Sequence, residues 1–283
     1  MKTWICCAAL LASFGTAVVA DEKPGTSPTL VAAGIDVLAK LKRLEPGASR
    51  AYYFEIMHGP EKTIGYAAVT ITATGSGADL VYDHTNVGTI LFPTGDKRVS
   101  DITSRLRPTF EPIEVDMWSA RITPDGETRG VVHRAVIEKD KTVLTSSSGD
   151  QSVTRDAPRP RPPFIVEIVG LAAQLEPVPG ERFVLREFNV RSGSARDLLF
   201  NVDVWEDGTA TVITTTRDGS TSYQFWYNED DDLMRWTEAT IPAMFVQVNK
   251  PRIEELKAKF GVTRRPAATR KTKASRATGK SKP

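Results

Sequence analysis

Three histidines and one run of four acids are the residues of this 283-residue chain best suited to chemistry. A local metal site needs paired ligands three or four residues apart on one helix face. His58, His84 and His133 lie far from one another in the chain. Asp83–His84 could serve a hydrolase only with partners from distant segments, and no GxSxG string is present to raise a serine nucleophile. The glycine-rich ATGSGAD, Ala73–Asp79, joins two strands and leads into no helix whose N-terminus could cradle a phosphate. The acids Glu229–Asp232 sit inside YQFWYNEDDDLMRW, Tyr223–Trp236. A calcium loop spaces its oxygen ligands alternately and uses a glycine for its sharp turn. This stretch has consecutive acids and no glycine. Asn and Asp side chains satisfy local backbone groups in turns, so the expectation for Asn228–Asp232 is a hairpin tip. No catalytic residue, metal site or cofactor site is assigned.

The segments that must position these residues are mostly strands. A helix is expected from Ser27–Pro28, with the hydroxyl as cap and proline in the first turn. It runs to about Leu44 on a stripe of Leu30, Gly34, Leu38 and Leu41, widened by Val31, Ile35 and Leu44. From Arg50 the apolar period falls to two. Strands are read at Ala51–Met57, Thr63–Thr74, Asp79–Asn86, Pro112–Ile122 and Arg129–Lys139. PRPRPP, Pro158–Pro163, cannot pair in a central strand and divides the chain into two halves of similar layout. Phe164–Leu175 again has helical spacing. Further strands then follow to AMFVQV, with hairpin turns at Glu206–Gly208 and Arg217–Gly219, and Lys250–Gly261 reads as a short closing helix. The fold class expected is mostly β (α+β): a curved antiparallel sheet or incomplete barrel wrapped around a few helices that cover one face.

The two ends differ from the body. MKTWICCAALLASFGTAVVA carries Lys2, an apolar run from Trp4 to Ala20, and small residues ahead of Asp21. These are the parts of a secretory signal peptide cleaved after Ala20. The alternative is a retained anchor, but the run is short for a bilayer span and interrupted by Gly15 and Thr16. Both cysteines, Cys6 and Cys7, fall inside it, so the mature chain would hold no disulfide or thiolate site. An exported protein, periplasmic or secreted and with no transmembrane segment after signal removal, is expected. At the other end Arg264, Arg265, Arg270, Lys271, Lys273, Arg276, Lys280 and Lys282 are set among small residues with no acid. Such a segment is too poor in apolar groups to fold. Taking these eight cations and Lys2 from the formal +2 leaves −7 for the body. A basic tail on an acidic body reaches for an anionic surface: lipid headgroups, acidic polysaccharide or the protein's own body. A solubilising tail without a partner stays open; specific nucleic acid is disfavoured by export. The organisation expected is signal peptide 1–20, one half-barrel-like domain 21–261 with halves near 45–157 and 164–261, and a disordered basic tail 262–283.

Large rings on both faces of a strand require both faces to be covered. In Thr221–Asn228, Tyr223, Phe225 and Tyr227 face one way and Trp226 the other. Trp118, Trp205, Trp226 and Trp236 are therefore candidates for a ligand groove, with cover by helices and loops as the alternative. The strand–turn–strand WYNEDDDLMRW, and EIMHGPEKTIGYAAVTI at Glu55–Ile71, resemble the periplasmic lipoprotein-carrier-like half-barrel superfamily over roughly residues 45 to 260. That resemblance implies an incomplete barrel whose concave face shelters acyl chains, with no catalytic site to transfer. Ser146–Pro163 departs from a minimal carrier. Three functions are compatible: a non-catalytic binding protein for a lipid-like ligand or acylated partner, an envelope scaffold whose helices fill the concavity and whose tail adheres, or a secreted hydrolase built around a histidine.

Overall fold

The computed structural model describes residues 27–41 and 43–261. The helix α1 (Pro28–Lys40) begins where expected, although the Ser27 hydroxyl makes no capping hydrogen bond, so proline alone marks its start. Gly34, Val37 and Leu38 are buried, and Ile35 points outward, narrowing the expected stripe. Eight strands follow as one meander: β1 (Ser49–His58), β2 (Lys62–Thr74), β3 (Val81–Leu91), β4 (Lys97–Leu106), β5 (Pro112–Ile122), β6 (Thr128–Ile137), β7 (Lys141–Ser148) and β8 (Gln151–Pro158). A second set runs β9 (Phe164–Ile165), the short α2 (Ile168–Ala172), then β10 (Arg182–Asn189), β11 (Ser194–Val204), β12 (Ala210–Thr215), β13 (Thr221–Tyr227), β14 (Leu233–Glu238) and β15 (Ile241–Val248). The helix α3 (Lys250–Phe260) closes the described chain, with the Asn249 side chain accepting from the Arg252 N–H as its cap.

All the strands form one 15-stranded sheet in the order β8 to β1, then β15 to β9. The two meanders join where Tyr53–Met57 of β1 lie antiparallel to Met244–Val248 of β15. The sheet's edges, β8 and β9, are successive in sequence and linked only by residues 159–163. An extended link of that length reaches about 18 Å. A flat sheet of this many strands would hold its edges about 67 Å apart. The sheet must therefore curl until its edges meet. They overlap instead of pairing. The β10–β11 turn tucks against β7 and β8, where Arg155 Nη2 donates to the carbonyls of Arg191 and Ser192 at 3.5 and 2.7 Å. Gly193 lies so close to Leu144 and Ala157 that an added Cβ would collide with both. Val115, Ala135 and Leu144 from one meander pack there against Phe164, Phe188 and Val190 from the other.

The largest apolar cluster fills one end of the curl. Phe54, Ile71 and Tyr82 meet Phe183, Phe200 and Phe225 there, together with α1 and α2. The helix α3 lies on the convex side, with Ile253, Leu256 and Phe260 over Tyr66. Helices thus cover both faces, not one. Three other expectations are corrected. Phe164–Leu175 is not one helix: Phe164 and Ile165 pair in parallel with Arg186 and Glu187 of β10, and tertiary pairing overrides their spacing. That pair is also the exception to an otherwise antiparallel sheet. The strands β4, β7 and β8 went unread because their Ser, Thr, Arg and Lys residues mute the apolar alternation.

Candidate functional site

A cavity of about 800 Å³ remains beside the plugged end. Its position follows from strand alternation. The inward face of β3 passes from Tyr82 and His84, under α2, to Asn86, Gly88 and Ile90, which line the cavity. The facing wall comes from β4 and β5 through Ile102, Val115 and Met117, and from β10, β14 and β15 through Phe188, Trp236 and Phe245. Trp236 and Phe245 stack at 3.7 Å between ring centres, with Phe54 edge-on to Trp236 at 6.2 Å. This wall is aliphatic and aromatic.

A polar side faces it. Glu167 immediately precedes α2, is buried, and accepts from Asn86 Nδ2 at 3.2 Å. Burial pushes its carboxyl up to about 7, against the opposing effect of the Asn86 bond. Glu187 accepts from the Tyr223 hydroxyl at 2.7 Å and from Arg196 Nε at 2.6 Å. Burial and the Glu187 charge together raise the Tyr223 phenol, which stays a hydrogen-bond donor. Glu238 accepts from the Thr240 hydroxyl. Toward the opening stand Arg98 and Arg191, with Phe92 between the cavity and a second depression of about 590 Å³.

The histidines stay apart. His84 is buried with neither ring nitrogen hydrogen-bonded, and burial holds it down to about 4, so it is neutral. Asp83 points to the other face of β3 and accepts from Thr74, so adjacency in sequence makes no dyad. His133 bonds the Ser146 hydroxyl at 2.9 Å, and burial, with help from Arg191, lowers its affinity for a proton. His58 lies at the end of β1 against the Pro242 carbonyl at 3.0 Å. Among the described residues no three His, Cys, Asp or Glu side chains gather as a metal site. The acid run is the β13–β14 hairpin tip. Asn228 Oδ1 accepts from the N–H groups of Asp230 and Asp232, at 3.1 and 2.8 Å.

Of the four tryptophans singled out by sequence, the fold brings Trp236 to the cavity and scatters the others. Trp118 is buried on the convex face with Val99, Ala120 and Val132, where Gly130 leaves room for the indole. Trp226 is half-buried on the convex face, with the Arg235 guanidinium 4.7 Å above its ring. Trp205 is exposed at the β11–β12 turn, its backbone N–H donating to the Thr209 carbonyl. The tail cations from Arg264 to Lys282 and the leader 1–20 lie outside the described residues. Sequence reasoning passed over Glu167, Asn86, Arg98 and Arg191. Glu167 did carry a signal, as the lone acid in the apolar run PFIVEIVGLA. The arginines carried none without strand register.

No family model matches the sequence and no curated protein matches it. Among solved structures, the chain is similar to a protein from Brucella abortus described as a beta-barrel-like protein of domain of unknown function DUF1849. The TM-score is 0.40 and the identity 14%, over 70% of this chain and 93% of that one.

Proposed function

We propose that this is an exported, non-catalytic binding protein that shelters the apolar part of a lipid-like or acylated ligand inside the curled sheet. The observation that carries the reading is the cavity itself. Its volume of about 800 Å³ falls in the usual range of small-molecule sites, and its aliphatic and aromatic wall, faced by a polar side, fits the apolar part of an amphiphile. The helices α1 and α2 fill one end of the concavity and leave the rest open, which favours a carrier over a scaffold filled by its own helices. The resemblance of Glu55–Ile71 and Trp226–Trp236 to lipoprotein-carrier-like half-barrels agrees with this ligand class.

The test is mass spectrometry of organic extracts of the protein purified from its own host, paired with titration of a neutral fluorescent probe, N-phenyl-1-naphthylamine. A stoichiometric lipid-like species is expected, and Trp236→Ala should weaken probe binding about tenfold, consistent with loss of a large aromatic contact. A protein that extracts empty and binds no probe overturns the reading.

A further inference from the structure

Strand register assembles a feature that folding alone does not account for. Arg98 of β4 lies directly opposite Arg121 of β5, and Arg121 directly opposite Arg129 of β6. Like charges directly across an antiparallel pair destabilise a sheet. A fourth guanidinium, Arg191 from the β10–β11 turn, lines the same depression. Two of the four have carboxylate partners: Arg121 reaches Asp96 at 2.6 Å and Arg129 reaches Glu127 at 2.9 Å. Arg98 and Arg191 have none among the described residues, and Arg191 reaches only the Ser119 hydroxyl, at 3.5 Å.

The row stands where the cavity opens. One step inward along the ladder comes Ser100–Ser119–Val131, and the next step is Ile102–Met117–His133, with the His133 ring bonded to the Ser146 hydroxyl. Across β4 and β5, charge therefore gives way to hydroxyl and then to hydrocarbon within two registers, with His133 on β6 at the end of the apolar rung. Phe92, Arg98, Ser119 and Arg191 border both the cavity and the outer depression, so the two are continuous. The acids of the cavity are engaged elsewhere, with Glu187 held by Arg196 and Tyr223, Glu167 by Asn86 and Glu238 by Thr240. An amphiphile entering this space meets positive charge at the mouth and carboxyl groups at the opposite side.

We propose that Arg98, Arg121, Arg129 and Arg191 form the head-group site of the cavity and select an anionic amphiphile. A carboxylate or phosphate sits on the guanidinium groups, and the chain lies against Ile102, Met117 and Trp236. Guanidinium recognises both anions through paired charge-assisted hydrogen bonds. The inference rests on the cavity holding an apolar chain, and the experiment separates the two claims.

N-phenyl-1-naphthylamine, which is uncharged, reports the cavity and is displaced at neutral pH by dodecanoate, dodecyl phosphate or dodecanol. The two anions should displace it at about tenfold lower concentration than the alcohol. Their order tells whether the natural head is a carboxylate or a phosphate. In an Arg98→Gln/Arg191→Gln variant the probe should still bind while the preference for anions disappears. Without ligand, Arg98→Gln should also melt at or above the parent temperature, because it relieves the charge facing Arg121. Equal displacement by all three amphiphiles, or a preference that survives in the double variant, overturns the head-group site and leaves the cavity reading standing. Failure of the probe and every amphiphile to bind overturns both.

Discussion

Two buried side chains, Glu167 and His84, set opposite pH dependences within one interior. Burial raises Glu167 from about 4.5 to about 7, so between those values the folded state holds a proton that the unfolded chain has lost. Its contribution makes stability fall as pH rises through that window, by about 3 kcal/mol if the shift is fully expressed. Burial lowers His84 from 6.5 to about 4, so there the unfolded chain binds a proton that the folded state refuses. Its contribution makes stability rise with pH over that range, by a similar amount. Between about pH 4.5 and 6.5 the two slopes oppose, and the parent protein should show a urea midpoint that rises only weakly there, through His133, whose proton affinity burial also lowers. Glu167→Gln should expose the His84 slope, with midpoints that climb toward pH 6.5, and should be the more stable protein at pH 8. His84→Leu, which removes two buried nitrogens without partners, should leave the Glu167 slope and be most stable near pH 4.5. A parent midpoint that varies as steeply as either variant's would rule out this pairing. Glu55, which the Arg252 hydrogen bond holds below its usual range, gains protons below this window.

Elements fail or hold through their closest approaches. In α1 Gly34 rests on the Val184 carbonyl of β10, where an added Cβ would fall well inside contact distance. Alanine at an open helix position would stabilise by about 1 kcal/mol. Gly34→Ala should do the reverse and cost about 1–3 kcal/mol, because the helix must lift from backbone that cannot give. Chemical denaturation measures the sign, and a neutral or stabilising result would show that α1 is not seated as described. At the β13–β14 tip, Asp231 has φ 60° while Asn228 Oδ1 holds two backbone N–H groups. Asp231→Gly should therefore be neutral or stabilise by up to about 1 kcal/mol. Asn228→Ala should cost about 1 kcal/mol. An Asp231→Gly melting temperature clearly below the parent's would argue against the turn geometry. This tip was legible in the sequence because turn chemistry is local, as were α3, the start of α1 and the hairpins at Glu206–Gly208 and Arg217–Gly219. The strand β9 was not, because two residues owe their conformation to a β10 partner some twenty positions on.

At the scale of the whole molecule the curved, unclosed sheet was readable and the pairing that joins its two meanders was not. Alternation predicts strands, and short turns predict antiparallel neighbours. Nothing in Ala51–Met57 or AMFVQV announces that β1 pairs with β15 across nearly the whole described chain. The cavity shares that limit: Trp236 could be nominated from its strand, but Glu167 meets Asn86, and Arg98 faces Arg121, only once register and curl are fixed. The same non-local pairing governs how the protein should unfold. Layout divides the chain at Pro158–Pro163, yet the main apolar cluster draws Phe54 and Ile71 from one side and Phe200 and Phe225 from the other. The β1–β15 ladder, the Arg155 bonds to the β10–β11 turn and the Arg252–Glu55 pair at 2.7 Å cross the same divide. Each half alone would expose the inner face that the other covers. A single transition is therefore expected, with tryptophan fluorescence and far-ultraviolet circular dichroism tracing the same urea midpoint. Separately expressed halves cut between Pro160 and Arg161 should be unfolded or aggregated alone. Two resolved transitions, or one half that folds cooperatively by itself, would show two domains that merely touch, and the cavity between their strands would then open and close with that contact.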